Sequence, residues 1–293
     1  MVDKEIVNGG KYMKVAAISD IHANYLALEA ILRYIDREGI KDILFLGDYI
    51  TDCPYPYKTM NLLYECLEKY NCHFIRGNRE DYLIKHHNNP NDEWKYSSST
   101  GSLLYTYLNI TKKDIDFFKA IPVSKIVTFK NHPHLFMCHG SPTKTKDWLY
   151  KKDDLLYSYI KDIDCDYFIF GHSHRAYSTN ILGKTVNFCP SAGLPANKKT
   201  DAQFILLESD GTTWKSQVIS LPYNIEKLIH DFYESGLLDK ARIWTKCILK
   251  QLSTGIEWYA KCLSLARNKA NSDSIYDIIP ERYWEEAARE LQI

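Results

Sequence analysis

The sequence lacks an excess of either charge: Lys and Arg together number 37, and Asp and Glu together 37. That excludes the strongly basic character of a protein devoted to long nucleic acids or membrane surfaces. It also lacks any apolar run near the roughly 20 residues needed to cross a bilayer. The opening stretch, MVDKEIVNGGKYMK, has no apolar segment of the kind a secretory signal carries. A soluble, non-exported, cytoplasmic protein is the expectation. No C-x-x-C pair occurs, and the 8 cysteines are scattered from Cys53 to Cys262. This spacing excludes a dense disulfide scaffold and reads as reduced, mostly buried thiols. Internal repeats and low-complexity tracts are missing as well, and the densest polar stretch, residues 88–100, reads as a surface loop.

What is present is an ordinary globular composition, 45% hydrophobic and 25% charged over 293 residues. This length suits one large domain with a smaller appendage. From Lys14 to about Ser220, short apolar runs alternate with amphipathic stretches, the rhythm of an α/β domain. Val15–Ile18, Ile43–Leu46 and His73–Ile75 read as strands. The helical spacing of Leu26 to Ile35 and of Met60 to Leu67 separates them, so the opening is βαβαβ. Residues from about 79 to 121 break the rhythm and read as a partly helical insertion. Strands resume at Ile126–Phe129, Leu135–Cys138, Tyr167–Phe170, Thr185–Phe188, Gln203–Leu207 and Ser216–Ser220. After Leu221-Pro222 helical periodicity runs to Leu291, giving domains at 1–221 and 222–293.

Several strands run directly into residues that can bind a metal. The first ends in Asp20-Ile21-His22, two side chains that an extended segment would point the same way. The second ends in Gly47-Asp48, the third in Gly77-Asn78-Arg79-Glu80, and later strands in His139-Gly140 and Gly171-His172-Ser173-His174, the last again read as same-facing. Ligands in open α/β sheets collect outside the carboxyl ends of the strands. Each signal alone has an ordinary explanation, since GD and GN are common turn dipeptides. Five of them at successive strand ends form a specific set. Imidazole, carboxylate and amide oxygen together suit Mn²⁺, Fe or Zn²⁺ better than Mg²⁺ or Ca²⁺. The remaining histidines, 73, 86, 87, 132, 134 and 230, read as surface or packing residues.

Taken together, these residues resemble the calcineurin-like metallophosphoesterase superfamily, whose pattern is D-x-H, GD, GN-H-[DE], a later H, and GH-x-H. The likeness extends to the small prokaryotic phosphodiesterase branch through Ala27-Leu28-Glu29-Ala30, His139-Gly140-Ser141-Pro142 and Ser191-Ala192-Gly193-Leu194-Pro195. The resemblance implies a four-layer αββα sandwich with a dinuclear centre at one edge, extended by C-terminal helices. It implies that Asp20, His22, Asp48 and His174 hold one ion and Asp48, Asn78, His139 and His172 the other, with Mn²⁺ favoured. It also implies phosphodiester hydrolysis by a metal-bridging hydroxide, with Asp48, Asn78, Arg79 and His139 in catalytic positions.

One position departs from that pattern. Arg79 stands where the family has a histidine able to protonate a leaving oxygen, and a guanidinium stays charged and cannot serve as that acid. Two readings stay open: Arg79 binds the phosphate, beside Asn78, or it is a surface residue paired with Glu80. Lys144, Lys146, Lys198 and Lys199 read as solvated. The expected substrate is a small phosphoester or nucleotide, without extended nucleic acid or membrane. A dinucleoside-polyphosphate hydrolase, a phosphomonoesterase or protein phosphatase, and a silent scaffold are the rivals. For the C-terminal segment, docking on the sandwich, capping an edge and forming a homo-oligomer contact remain equally open.

Overall fold

A computed structural model describes residues 12–149, 154–271 and 278–293. β1 (Met13–Ile18), α1 (Tyr25–Arg37), β2 (Asp42–Phe45), α2 (Pro56–Lys69) and β3 (Asn71–Phe74) form the opening βαβαβ unit. β1 pairs in parallel with β2, and β2 with β3. Helix α1 ends where Gly39 takes φ of +66°, a conformation that glycine adopts without steric cost. Three helices follow: α3 (Asn78–Asn88), α4 (Gly101–Leu108) and α5 (Lys112–Ala120). The second half holds β4 (Ser124–Phe129), β5 (His132–Cys138), α6 (Asp154–Asp162), β6 (Tyr167–Phe170), β7 (Tyr177–Ile181), β8 (Lys184–Phe188), β9 (Ala202–Ser209) and β10 (Trp214–Leu221).

The strands make two mixed five-stranded sheets, in the orders β10-β9-β1-β2-β3 and β4-β5-β6-β8-β7. Alternation along β1 shows how they stack. Val15 and Ala17 join one buried cluster with the strands of the second sheet, while Ala16 and Ile18 join another with α1 and α2. Both faces of β1 are therefore covered, which is why its sequence is a continuous apolar run rather than an alternating one. Leu156 and Ile160 of α6 lie in the same cluster as the second sheet, completing the helix-sheet-sheet-helix order. Two elements carry weak sequence signals. β7 is an edge strand reading YSTNI with no buried residue, and α6 is a short helix burying only Leu156 and Ile160.

The C-terminal helices are α7 (Ile225–Glu234), α8 (Leu237–Thr254), α9 (Trp258–Ala270) and α10 (Glu281–Glu290). They dock on the sandwich: Leu228, Phe232, Trp244, Ile248, Cys262 and Trp284 are buried in one cluster with α1, α2 and the outer face of β1. The docking corrects the reading of residues 88–100 as a surface loop. Ser97, Ser98 and Thr100 are buried, and Ser98 binds Glu281 of α10 through Oγ at 2.5 Å. The seryl hydroxyls serve the helix ends packed over them. No helix among the described residues is long and apolar enough to cross a membrane.

The cysteines are free, and all but Cys72 are buried. Burial pushes the thiols of Cys66 and Cys72 up to about 12, so the reactive thiolate is scarce at neutral pH. A thiol-titrating disulfide reagent should accordingly label at most Cys72 within minutes in the native protein, and all 8 cysteines after denaturation. Fast labelling of several native thiols would contradict this burial.

Candidate metal centre

The carboxyl ends of β1, β2 and β3 in one sheet, and of β5 and β6 in the other, deliver the predicted residues to one place. Asp20, His22 and His174 form a group whose ligand atoms all lie within 4.8 Å of one another, and Asp48, His139 and His172 form a second. The two groups adjoin: Asp48 Oδ2 lies 3.5 Å from His139 Nε2 and 4.0 Å from His22 Nε2. Asn78 Oδ1 stands 3.1 Å from His139 Nε2. Asp20 and His139 are fully buried, and only His172 is half-exposed.

The local backbone differs from the extended geometry read from D-x-H. Asp20, His22, Asp48, His172 and His174 all take left-handed conformations, with φ between +53° and +64°. Such φ values are uncommon for residues other than glycine, though Asp and His adopt them more readily than most. They gather where surrounding structure imposes them. Here the chain hooks back at each strand end: Asp20 N–H donates to Gly47 O at 3.0 Å and His22 N–H to Asp48 O at 3.0 Å. The H-x-H pair is likewise not same-facing. The His174 ring stands 4.9 Å from that of His22, while the His172 ring stands 5.0 Å from that of His139, one in each group.

Three imidazoles have their orientation set from behind. His139 Nδ1 donates to Leu46 O at 2.7 Å, and His174 Nδ1 to Leu194 O at 3.0 Å. His22 Nδ1 lies 3.0 Å from Asp52 Oδ2. A carbonyl oxygen can only accept, so Nδ1 of His139 and of His174 carries a proton and Nε2 is the nitrogen turned inward, while His22 Nδ1 faces Asp52 without an aligned hydrogen bond. Those inward nitrogens confront other acceptors. His22 Nε2 and His174 Nε2 are 3.0 Å apart, and His174 Nε2 is 3.2 Å from Asp20 Oδ1. Asp20 Oδ1 is itself buried without a hydrogen-bond partner. Lone pairs brought together in this way need positive charge between them.

Where no cation stands, a proton on His139 supplies that charge. Burial works against it, yet the Asp48 and Asp20 carboxylates raise His139 to about 10. Burial and the neighbouring His139 hold His172 down at about 3, leaving it a neutral ligand. Burial, then the Asp48 charge, raises Glu80 to about 7. A cation held by Asp48 would relieve the second of these causes. The donor set and the unpartnered Asp20 oxygen thus fit divalent metal ions.

Arg79 is mostly buried and is not paired with Glu80, which corrects the surface reading. The Glu80 carboxylate instead accepts from the backbone N–H groups of Gly77, Asp48 and Tyr49 at 2.8, 2.9 and 2.9 Å, tying the ends of β2 and β3 together. Arg79 N–H donates to Asp48 Oδ1 at 2.8 Å. Its guanidinium faces Asp52, with Nη2 3.2 Å from Oδ2, and its Nε is buried without a hydrogen-bond acceptor, 3.9 Å from Asp48 Oδ2. Lys144, Lys146, Lys198 and Lys199 are exposed.

Asp52 escaped the sequence reading, because a fourth residue after GD carries no motif of its own. Its 2% exposure and its five polar neighbours are visible only in three dimensions. A further group, His230, Asp231 and Glu234 on α7, also has metal-ligand spacing, but Asp231 already accepts from the Tyr25 hydroxyl at 2.7 Å and pairs with Lys227.

Comparison with known proteins agrees with this geometry. The uncharacterized protein MJ0912 of Methanocaldococcus jannaschii is 30% identical over 240 residues, 76% of this chain and 93% of that protein. The crystal structure of a metallophosphoesterase from Sphaerobacter thermophilus superposes with a TM-score of 0.66 at 19% identity, covering 83% of this chain and 100% of that one. The hypothetical protein PH1004 from Pyrococcus horikoshii does so with a TM-score of 0.69 at 16% identity, covering 83% and 98%. These two likenesses speak for the fold. The sequence profile of the calcineurin-like phosphoesterases matches residues 13–176, a span that opens with β1 and closes just beyond His174, taking in every residue of both groups. By that match the chain belongs to the calcineurin-like phosphoesterase family.

Proposed function

We propose that the protein is a phosphodiesterase acting on small phosphodiesters with two divalent ions, Mn²⁺ favoured over Fe or Zn²⁺. The observation that carries the reading is the set of inward Nε2 atoms crowded against the unpartnered Asp20 Oδ1. Asp20, His22 and His174 would hold one ion, Asn78, His139 and His172 the other, and Asp48, lying between the two groups, would be shared. When bound, such ions supply a hydroxide nucleophile near neutral pH and neutralise charge on the phosphoryl oxygens.

The protein's own contribution is positioning and charge. The carbonyls of Leu46 and Leu194 hold His139 and His174 against rotation. Arg79 keeps a buried donor at Nε beside Asp48, suited to a phosphoryl oxygen, and its fixed charge stabilises the extra negative charge of the transition state. Because a guanidinium gives up no proton, the leaving group must depart with little protonation. That favours aryl diesters, and it keeps a second reading in play, cleavage of a nucleotide polyphosphate anhydride.

Initial rates on an aryl phosphodiester and on the matching monoester, with and without Mn²⁺, test the proposal. Metal-dependent cleavage with the diester faster is expected, and a faster monoester would overturn the diesterase assignment. Arg79→Ala should lower kcat/KM on the aryl diester by about 10²-fold. Arg79→His should extend activity to diesters with alkyl leaving groups, read by comparing the two substrate types. Equal loss on both would count against the leaving-group argument.

A further inference from the structure

Asp52 sits where two functional side chains and the C-terminal helices converge. Its Oδ2 faces His22 Nδ1 at 3.0 Å and Arg79 Nη2 at 3.2 Å, and accepts from Thr51 Oγ1 at 2.9 Å. Its Oδ1 accepts from Ser102 Oγ at 3.1 Å and from Trp244 Nε1 at 2.8 Å. Trp244 lies 192 residues away in sequence, on α8. Its ring also covers the Arg79 guanidinium, whose carbon is 5.6 Å from the ring centroid. The same indole packs against Tyr259 of α9 at 5.1 Å, and Tyr259 stands 6.2 Å from His174.

The path of α8 is built around this contact. The helix is interrupted at Arg242, where φ is +48°, and the freed N–H of Ile243 donates to Ser98 Oγ at 3.0 Å. Breaks of this kind redirect the helix that follows them. Two residues past the break is Trp244, which donates to Asp52. The N–H beyond the break is satisfied by Ser98, and the same 97–102 segment supplies Ser102 to Asp52.

We propose that Asp52 is a positioning residue that orients His22 and Arg79 together, and that Trp244 of the C-terminal segment holds it in place. The C-terminal helices then belong to the working site: they determine where the guanidinium stands relative to Asp48. A carboxylate behind a ligating imidazole fixes the ring and raises its basicity, and losing such a partner typically costs 10–100-fold in metal affinity. Trp244→Phe keeps a buried aromatic ring but removes the N–H that holds Asp52 Oδ1, freeing the carboxylate to rotate and carry Oδ2 away from Arg79. A hydrogen bond to a charged group of this kind is worth about tenfold or more.

The Arg79 half of the inference rests on the phosphoesterase reading, whereas the His22 half does not, so the test uses two probes, neither of which requires turnover. Calorimetric titration of the metal-free protein with Mn²⁺ alone should show about 10- to 100-fold weaker binding in Asp52→Asn. Titration of the Mn²⁺-loaded protein with inorganic phosphate should show about tenfold weaker binding in Trp244→Phe. The loss in Trp244→Phe should largely vanish when Arg79 is already Ala, since the two residues act through one contact. The phenylalanine variant keeps the packing, which guards against reading a folding defect as a positioning effect, and far-ultraviolet circular dichroism checks it. Wild-type Mn²⁺ affinity in Asp52→Asn, or a Trp244→Phe loss that is fully additive with Arg79→Ala, would overturn the proposal. Wild-type protein that binds Mn²⁺ but not phosphate would sink the phosphoesterase reading while leaving the His22 half standing.

Discussion

Asp48→Asn should abolish metal-dependent hydrolysis, with kcat/KM down by at least about 10³-fold, and should leave the chelated protein somewhat less stable than wild type. Both halves follow from charge. Asp48 lies between the two ligand groups, with Oδ2 3.5 Å from His139 Nε2, and its other oxygen accepts the Arg79 N–H at 2.8 Å. An amide of the same shape keeps an acceptor for that N–H but loses the charge that a divalent ion requires. In the metal-free fold, despite its burial and the nearby Asp20, His139 and His22 hold the Asp48 carboxyl down at about 2, and the amide loses that attraction. Added metal should then separate the two proteins. A ligand at 100 times its Kd stabilises the folded state by about 2.7 kcal/mol. Wild type should therefore gain several degrees in Tm on adding Mn²⁺, and the variant little. An equal Mn²⁺-induced gain in both proteins would show that Asp48 is not a shared ligand.

Gly47→Ala is expected to damage both stability and activity through the addition of a single methyl group. Gly47 takes φ of +90°, and a Cβ there would lie 2.5 Å from Gly77 N and 2.6 Å from Gly77 Cα. Neither neighbour can swing aside, because both are backbone atoms, and Gly77 N–H is itself bonded to Glu80. Backbone strain adds about 1–2 kcal/mol and overpacking about 1–3 kcal/mol. The expected loss is about 2–5 kcal/mol, or a fall of about 10 °C in Tm for a chain of this size. Activity should fall further than stability explains, because the β2 and β3 ends would be forced apart and they carry Asp48 and Asn78. Gly39→Ala is the matched control: its φ is +66°, but nothing lies within 4 Å of the added methyl. It should cost only the strain and leave kcat/KM unchanged at a permissive temperature. Similar losses in the two variants would mean that the close approach of β2 and β3 is not what the site depends on.

The element order and the convergence of the candidate ligands were legible in the chain itself. Apolar runs such as Val15–Ile18 and helical spacing such as Leu26 to Ile35 are local properties, and a strand buried on both faces must be apolar throughout. The ligands were legible because parallel strands bring their carboxyl ends to one edge, so residues just past successive strands meet whatever the details of packing. That is why the sequence alone brings Asp20, His22, Asp48, Asn78, His139, His172 and His174 together. The edge strand β7 and the short α6 bury too little to leave such a signature.

What depended on tertiary structure is everything set by contacts between distant segments. The left-handed backbone at Asp20, His22, Asp48, His172 and His174 goes with contacts from distant segments, the Asp20 and His22 N–H groups donating to the carbonyls of Gly47 and Asp48, so D-x-H is not extended although its side chains still converge, and H-x-H is divided between the two groups. The partner of Arg79 is Asp52, and not its neighbour Glu80, because Glu80 is drawn off by three backbone N–H groups of β2 and β3. The burial of Ser97 and Ser98, the docking of the C-terminal helices and the Trp244 bond to Asp52 all depend on how α8 and α10 settle over the insertion. Local pattern fixes which face of an element is apolar. Only the packed fold decides which polar groups are left without water and must therefore find one another.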